Sequence, residues 1–140
     1  MTRFHIEVEH PRRCVGCFSC VYACSRHLFN IVDPSRVAVF VTSNKTLANN
    51  FEVIACRSCK SPECALACLQ GALQTLPEGG VTLISSKCSS CITFDCTKAC
   101  EIRALALDRS TKLPIVCDQC GDCAKYCPHN VFKYMETRDR

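Results

Sequence analysis

The chain has 140 residues, a formal net charge of +4, 16 cysteines and no tryptophan. That length bounds one domain, and no apolar run approaches the roughly 20 residues that a membrane-spanning helix needs. Cysteine at about 11 % would mark a disulfide scaffold in a secreted chain, but MTRFHIEVEHPRR carries no apolar signal region, so a cytoplasmic chain with metal-bound thiols is expected.

In chain order, residues 4–8 (FHIEV) alternate as a short strand does. A first cysteine quartet follows, Cys14, Cys17, Cys20 and Cys24, spaced C-x₂-C-x₂-C-x₃-C. Val37–Val41 and Phe51–Ile54 are β-branched runs separated by turn formers, which predicts a strand pair with a long connection. The second quartet, Cys56, Cys59, Cys64 and Cys68, reads C-x₂-C-x₄-C-x₃-C, and the third repeats that spacing at Cys88, Cys91, Cys96 and Cys100. Between them, Ala72–Leu76 and Val81–Ile84 flank Pro77-Glu78-Gly79-Gly80 and predict a hairpin. A second hairpin is expected from Ala104–Leu107, the turn Asp108–Lys112, and Leu113–Val116. The fourth quartet, Cys117, Cys120, Cys123 and Cys127, returns to C-x₂-C-x₂-C-x₃-C and ends in Pro128.

Aligned on their last cysteine, the quartets form an internal repeat. Leu28-Phe29, Ala72-Leu73, Ala104-Leu105 and Val131-Phe132 stand four and five residues beyond it. One place earlier come His27, Gly71, Arg103 and Asn130, and glycine or asparagine there suits a left-handed turn after a short helix. Each unit reads as loop, one or two helical turns, turn, strand.

The spacing C-x₂-C-x₂-C-x₃-C-P holds [4Fe–4S] clusters in bacterial ferredoxins, where the fourth cysteine ligates the other of two clusters. The quartets use every cysteine in the chain, which closes on four clusters and about 16 irons. Zinc is the competing reading for any C-x₂-C pair, and the four x₃-C extensions argue against it. Thiols count as neutral in the +4, and four oxidised clusters of about −2 each would bring the holoprotein to about −4, so a nucleic-acid partner is not expected. Aliphatic residues are thinly spread, so the clusters must serve as core and the apo chain is expected not to fold.

No Gly-rich dinucleotide fingerprint, P-loop or nucleophile with an arranged base is visible, so no catalytic residue is expected. Asp95, Asp118 and Asp122 read as turn formers in cluster loops. His5, His10, His27 and His129 read as surface or turn residues, and Lys60 and Lys87 as surface charges. Tyr22 and Tyr126 sit between cluster cysteines and are expected to shield a cluster from water. The basic segments HPRR (10–13) and ETRDR (136–140) are expected to be solvated and to touch a partner.

From Cys14 to Phe132 the chain resembles the four-cluster iron–sulfur electron-transfer subunits of molybdenum and tungsten oxidoreductases, the dimethyl sulfoxide reductase type. CRSCKSPECALACLQGAL (56–73) is similar to their second motif and CDQCGDCAKYCPHNVF (117–132) to their fourth. Proline follows only the last quartet, the matching positions being Ser25, Leu69 and Glu101, and the third quartet has x₄ where many relatives have x₂. The missing insertions and C-terminal anchor fit a short soluble form, as in aldehyde oxidoreductase complexes.

The resemblance implies an α+β fold of tandem ferredoxin-like units in two pseudo-symmetric lobes, each with two clusters. It implies nested ligation: Cys14, Cys17, Cys20 and Cys127 hold one cluster, and Cys117, Cys120, Cys123 and Cys24 a second. A third takes Cys56, Cys59, Cys64 and Cys100, and a fourth Cys88, Cys91, Cys96 and Cys68. One lobe would then be residues 1–50 with 117–140, the other 51–116. The implied function is a relay between a larger pterin-containing catalytic subunit and a ferredoxin, flavin subunit or other carrier. A freestanding polyferredoxin, an iron–sulfur redox sensor and a zinc-stabilised interaction protein are the alternatives.

Overall fold

The computed structural model describes residues 3–137, a small mixture of short helices and strands. Residues 138–140 of the expected basic tail lie outside the described residues. All its sheets are two-stranded antiparallel ribbons. The first joins β1 (Phe4–Val8) to β8 (Phe132–Glu136), with Val8 opposite Phe132, and so ties the two ends of the described chain together. The second joins β2 (Val39–Ser43) to β3 (Phe51–Ala55), the expected strand pair with a long connection. The two expected hairpins are β4 (Leu73–Thr75) with β5 (Val81–Leu83), and β6 (Ala106–Leu107) with β7 (Pro114–Ile115).

Five helices carry or flank the cysteines: α1 (Ser19–Phe29), α2 (Glu63–Leu66), α3 (Ser85–Cys88), α4 (Asp95–Ala99) and α5 (Asp122–Tyr126). α1 packs on α5, and α2 on α4. The first unit departs from the repeat. Its helix runs on through SRHLF, and the left-handed residue is Asn30 (φ 56°) rather than His27. In the other three units the expected position is left-handed: Gly71 (φ 65°), Arg103 (φ 59°) and Asn130 (φ 53°).

Buried apolar side chains form two clusters. The first gathers Ile6, Val21, Val37, Val39, Val41, Ala55, Val131 and Phe132 with Cys14, Cys20 and Cys123. The second contains only Leu73, Val81 and Cys96, with Ala65, Leu83, Leu105 and Val116 packed partly against it. The first cluster also takes in Phe51, Val53 and Ala55 of β3, on the far side of the boundary expected at residue 51. β3 is bound to β2 along its whole length, and that pairing decides which core it joins.

Besides Arg3 Nη1, which donates to the Gly79 carbonyl at 3.0 Å, two side-chain bridges among the described residues cross between the parts of the chain that supply these clusters. Arg36 Nε and Nη2 donate to Asp108 Oδ2 at 2.9 and 2.6 Å, and the guanidinium lies 4.5 Å from the centre of the Phe29 ring. Asp108 is 3 % exposed and its Oδ1 also accepts from the Ser110 N–H and hydroxyl, fixing the β6–β7 turn. Arg36 holds its carboxyl well below the usual carboxylate range, helped by Ser110. The second bridge is Gln119, which meets both β1 and Cys56.

Candidate metal centres

The third cysteine of every quartet is the second residue of a short helix: Cys20 on α1, Cys64 on α2, Cys96 on α4 and Cys123 on α5. Phe18 (φ 62°), Phe94 (φ 51°) and Gly121 (φ 85°) stand immediately before three of these helices in the left-handed region. A further left-handed residue precedes the second cysteine at Gly16, Ser58 and Gln119. Left-handed residues alternating with ordinary ones turn successive N–H groups into a concave face, which suits an anion. Such a conformation costs a residue with a Cβ roughly 1–2 kcal/mol, so its recurrence beside the thiols marks the loops as shaped for a bound group.

The fourth cysteine lies one helical turn after the third, where a regular helix would put both on one face. In the third and fourth units the chain leaves the helix there instead, whereas Cys24 stays within α1. Cys100 and Cys127 are the C-terminal caps of α4 and α5, with extended backbone (ψ 114° and 113°), so each departs from the helix at its thiol. The same residues accept backbone hydrogen bonds at sulfur, from Ala104 N–H to Cys100 Sγ at 3.3 Å and from Val131 N–H to Cys127 Sγ at 3.5 Å. In the first unit, whose helix is longer, Ala38 N–H donates to Cys24 Sγ at 3.3 Å.

All sixteen thiols are free of disulfides. Their mutual electrostatics sort them. Burial pushes the Cys20 thiol up to about 12, and Cys127, Cys14 and Cys17 add to the rise. Cys123 is likewise pushed up to about 12 by burial, then by Cys120, Cys20 and Cys24. Cys117 is raised by burial and by Cys56, Cys123 and Cys24. Burial and then Cys56, Cys100 and Cys59 push Cys64 up to about 11. Cys96 is raised by burial and by Cys68, Cys88 and Cys91, and Cys88 by burial with Cys91 and Cys68. Cys68 runs the other way: burial raises it, but N–H groups of Leu73, Ala72, Gln70 and Gly71 together bring it below its ordinary value.

This donor set fits iron–sulfur clusters. Soft thiolates are the ligands such clusters take, and thiols that raise one another stand where a cationic iron core would reverse the penalty. The amide N–H···S bonds are those that tune a cluster's potential.

The structure also revises the side chains around the loops. Tyr22 and Tyr126 are 43 % and 50 % exposed, so they do little shielding. Phe51 and Tyr134 lie against the cysteine loops instead. A Cβ at Gly16 would come within 2.3 Å of the Phe51 ring, and one at Gly121 within 2.8 Å of the Tyr134 ring. The sequence signal was the glycine inside each C-x₂-C step. His5 is not a surface residue: it is buried, with Nε2 3.2 Å from Glu7 Oε1 and no partner for Nδ1 among the described residues. His27 sits between Asp118 (2.6 Å) and Asp122 (3.6 Å), tying α1 to the fourth loop. Asp118 does form a turn, accepting from Cys120 N–H at 3.2 Å.

No protein-family model matches the chain. Two curated relatives are subunits of oxidoreductases. The chain is 32 % identical over 132 residues to the beta subunit of NADH-dependent phenylglyoxylate dehydrogenase of Aromatoleum evansii, a match covering 91 % of this chain and 29 % of that one. It is 26 % identical over 151 residues to the thiosulfate reductase electron transfer subunit PhsB of Salmonella typhi, covering 96 % and 77 %. The chain therefore spans under a third of the first relative's length and about three quarters of the second's. These names and the 16 cysteines together support an iron–sulfur electron-transfer subunit. Among the described residues, no helix is long and apolar enough to cross a membrane.

Proposed function

We propose that the chain is a non-catalytic relay subunit holding four [4Fe–4S] clusters, nested so that the first quartet exchanges its fourth cysteine with the last, and the second with the third. The observation that carries this is which thiols share a cavity: Cys127 lines one with Cys14, Cys17 and Cys20, and Cys24 lines another with Cys117, Cys120 and Cys123. The packing of α1 on α5 and of α2 on α4 supports the same pairing. Gln119, whose Nε2 reaches both Cys117 Sγ and the Cys56 carbonyl, argues for one row of four centres.

The clusters would supply one-electron redox chemistry. The chain's own residues hold the thiolates, aim N–H donors at the sulfurs and pack Phe51 over the first loop and Tyr134, itself 44 % exposed, along the edge of the fourth. The reacting site would belong to a larger subunit of molybdenum- or tungsten-pterin type, and the far end would serve a flavin subunit, ferredoxin or other carrier. One relative is named for an NADH-dependent dehydrogenase and the other for a reductase, which favours a relay usable in either direction. Sixteen unbridged thiols fit a reducing compartment, and we place the chain in the cytoplasm.

The test is anaerobic purification from the native source. About 16 irons and as many sulfides per chain, in a stable complex with a pterin-containing subunit, are expected. Stoichiometric zinc would overturn the cluster reading, and an iron-loaded monomer active as a diffusible carrier would favour a polyferredoxin.

A further inference from the structure

Gln119 is 4 % exposed, adopts a left-handed backbone (φ 60°) and lies in the C-x₂-C step of the fourth quartet. Its carboxamide meets three partners. Oε1 accepts from Ile6 N–H at 2.8 Å, and Nε2 donates to the Cys56 carbonyl at 3.2 Å and to Cys117 Sγ at 3.5 Å. The orientation is fixed by chemistry: Ile6 N–H can only donate and the Cys56 carbonyl can only accept. So the two N–H bonds of one amide point at a thiol of the fourth quartet and at the backbone of the second. No other carboxamide stands at the matching position, which is Gly16, Ser58 and Ser90 in the other quartets.

We infer that Gln119 is the positioning residue of the junction between the two halves of the relay, setting the potential of the centre on Cys117 and fixing its separation from the centre on Cys56. This rests on the four-cluster reading. An N–H···S bond stabilises the more negative, reduced state more than the oxidised one, so the side chain raises the potential of the centre it touches. The third bond, from β1, holds the carboxamide in place, because Ile6 is anchored in the first core.

The test is a pair of variants in the anaerobically purified complex, read by redox titration with electron paramagnetic resonance. Gln119→Met removes all three bonds at nearly constant volume. Gln119→Glu keeps the acceptor for Ile6 N–H, removes the donors and sets a negative charge against Cys117. Both are expected to retain full iron and to lower the reduced-to-oxidised ratio of one centre at fixed potential. The change should be about three- to tenfold for Met and larger for Glu, with the two outermost centres unmoved. Full iron with all four midpoints unchanged would overturn the inference and leave the relay reading intact, whereas an unaltered chain without iron would overturn both. If neither variant loads, the unaltered complex decides. Isotope-labelled glutamine side-chain nitrogen must couple magnetically to the centre on Cys117, and the absence of that coupling overturns the assignment.

Discussion

The two halves of the molecule use the same cysteine arithmetic on unequal foundations. The half that carries the first and fourth quartets has two ribbons of five-residue strands, an eleven-residue helix and a core that includes Val21, Val37, Val39 and Val131, all at most 3 % exposed. Burying such a side chain is worth about 1.5–3 kcal/mol. The half that carries the second and third quartets has ribbons of three and two residues per strand and a buried core of Leu73, Val81 and Cys96. Two-stranded hairpins are marginal by themselves in water. Where aliphatic core is thin, bound metal must supply the folding energy, and the second half depends on it more.

The largest expected effect is that of iron removal. Chelation in reductant should unfold the second half first, seen as lost hydrogen-exchange protection across residues 56–116 before residues 4–8 and 132–136. Simultaneous loss everywhere would erase the distinction between the halves. Because the ligands bind as thiolates and free thiols are mostly protonated at neutral pH, reloading must expel protons. Iron uptake by the apo chain should therefore rise from pH 6 to pH 8.

Next in size is Cys127→Ala. With the nested pairing, the centre damaged is the one on Cys14, Cys17 and Cys20, while Cys117, Cys120 and Cys123 keep theirs through Cys24. Three remaining thiolates leave a three-iron core with its own paramagnetic signal, and assigning that signal to the Cys117 loop would mean that each quartet serves itself.

Gly16→Ala tests packing in the better-built half. A methyl there collides with the Phe51 ring and strains a backbone at φ 71°, which should cost about 2–4 kcal/mol. Calorimetry showing less than about 0.5 kcal/mol would mean that Phe51 does not pack on the loop.

A smaller effect is expected from Asp108→Asn, which weakens the clamp to Arg36 across the halves and should cost about 1–3 kcal/mol. The sign with pH follows from the lowered carboxyl. Its contribution is complete above the ordinary value of 3.8 and is lost as pH falls below that, through the depressed folded value. Leu69→Ser marks the bottom of the scale. Leu69 is 86 % exposed beside Cys68, and the change should leave stability within about 0.5 kcal/mol.

The sequence made the local pieces legible because each is short and carries its own signal. Cysteine spacing marked the loops, Gly71 and Asn130 the left-handed turns, and Pro77–Gly80 the first hairpin. What it hid depends on residues far apart in the chain. Nothing local links Arg36 to Asp108, or Gln119 to Cys56, and β3 joined the first core because β2 pairs with it. His5 looked like a surface histidine, yet β1 turns it inward beside Ile6. The first unit broke the repeat, its helix running on through SRHLF until Asn30 ends it three residues late, and the residue type at the matching position does not announce this, since Arg103 is left-handed there.

The most direct measurement is an anomalous-scattering map at the iron edge from crystals of the complex grown without oxygen. The account predicts four compact iron groups in one row, the first touching Cys127 as well as Cys14, Cys17 and Cys20, the middle two separated by Gln119. Fewer than four groups, or any group held entirely by the cysteines of one quartet, would contradict it.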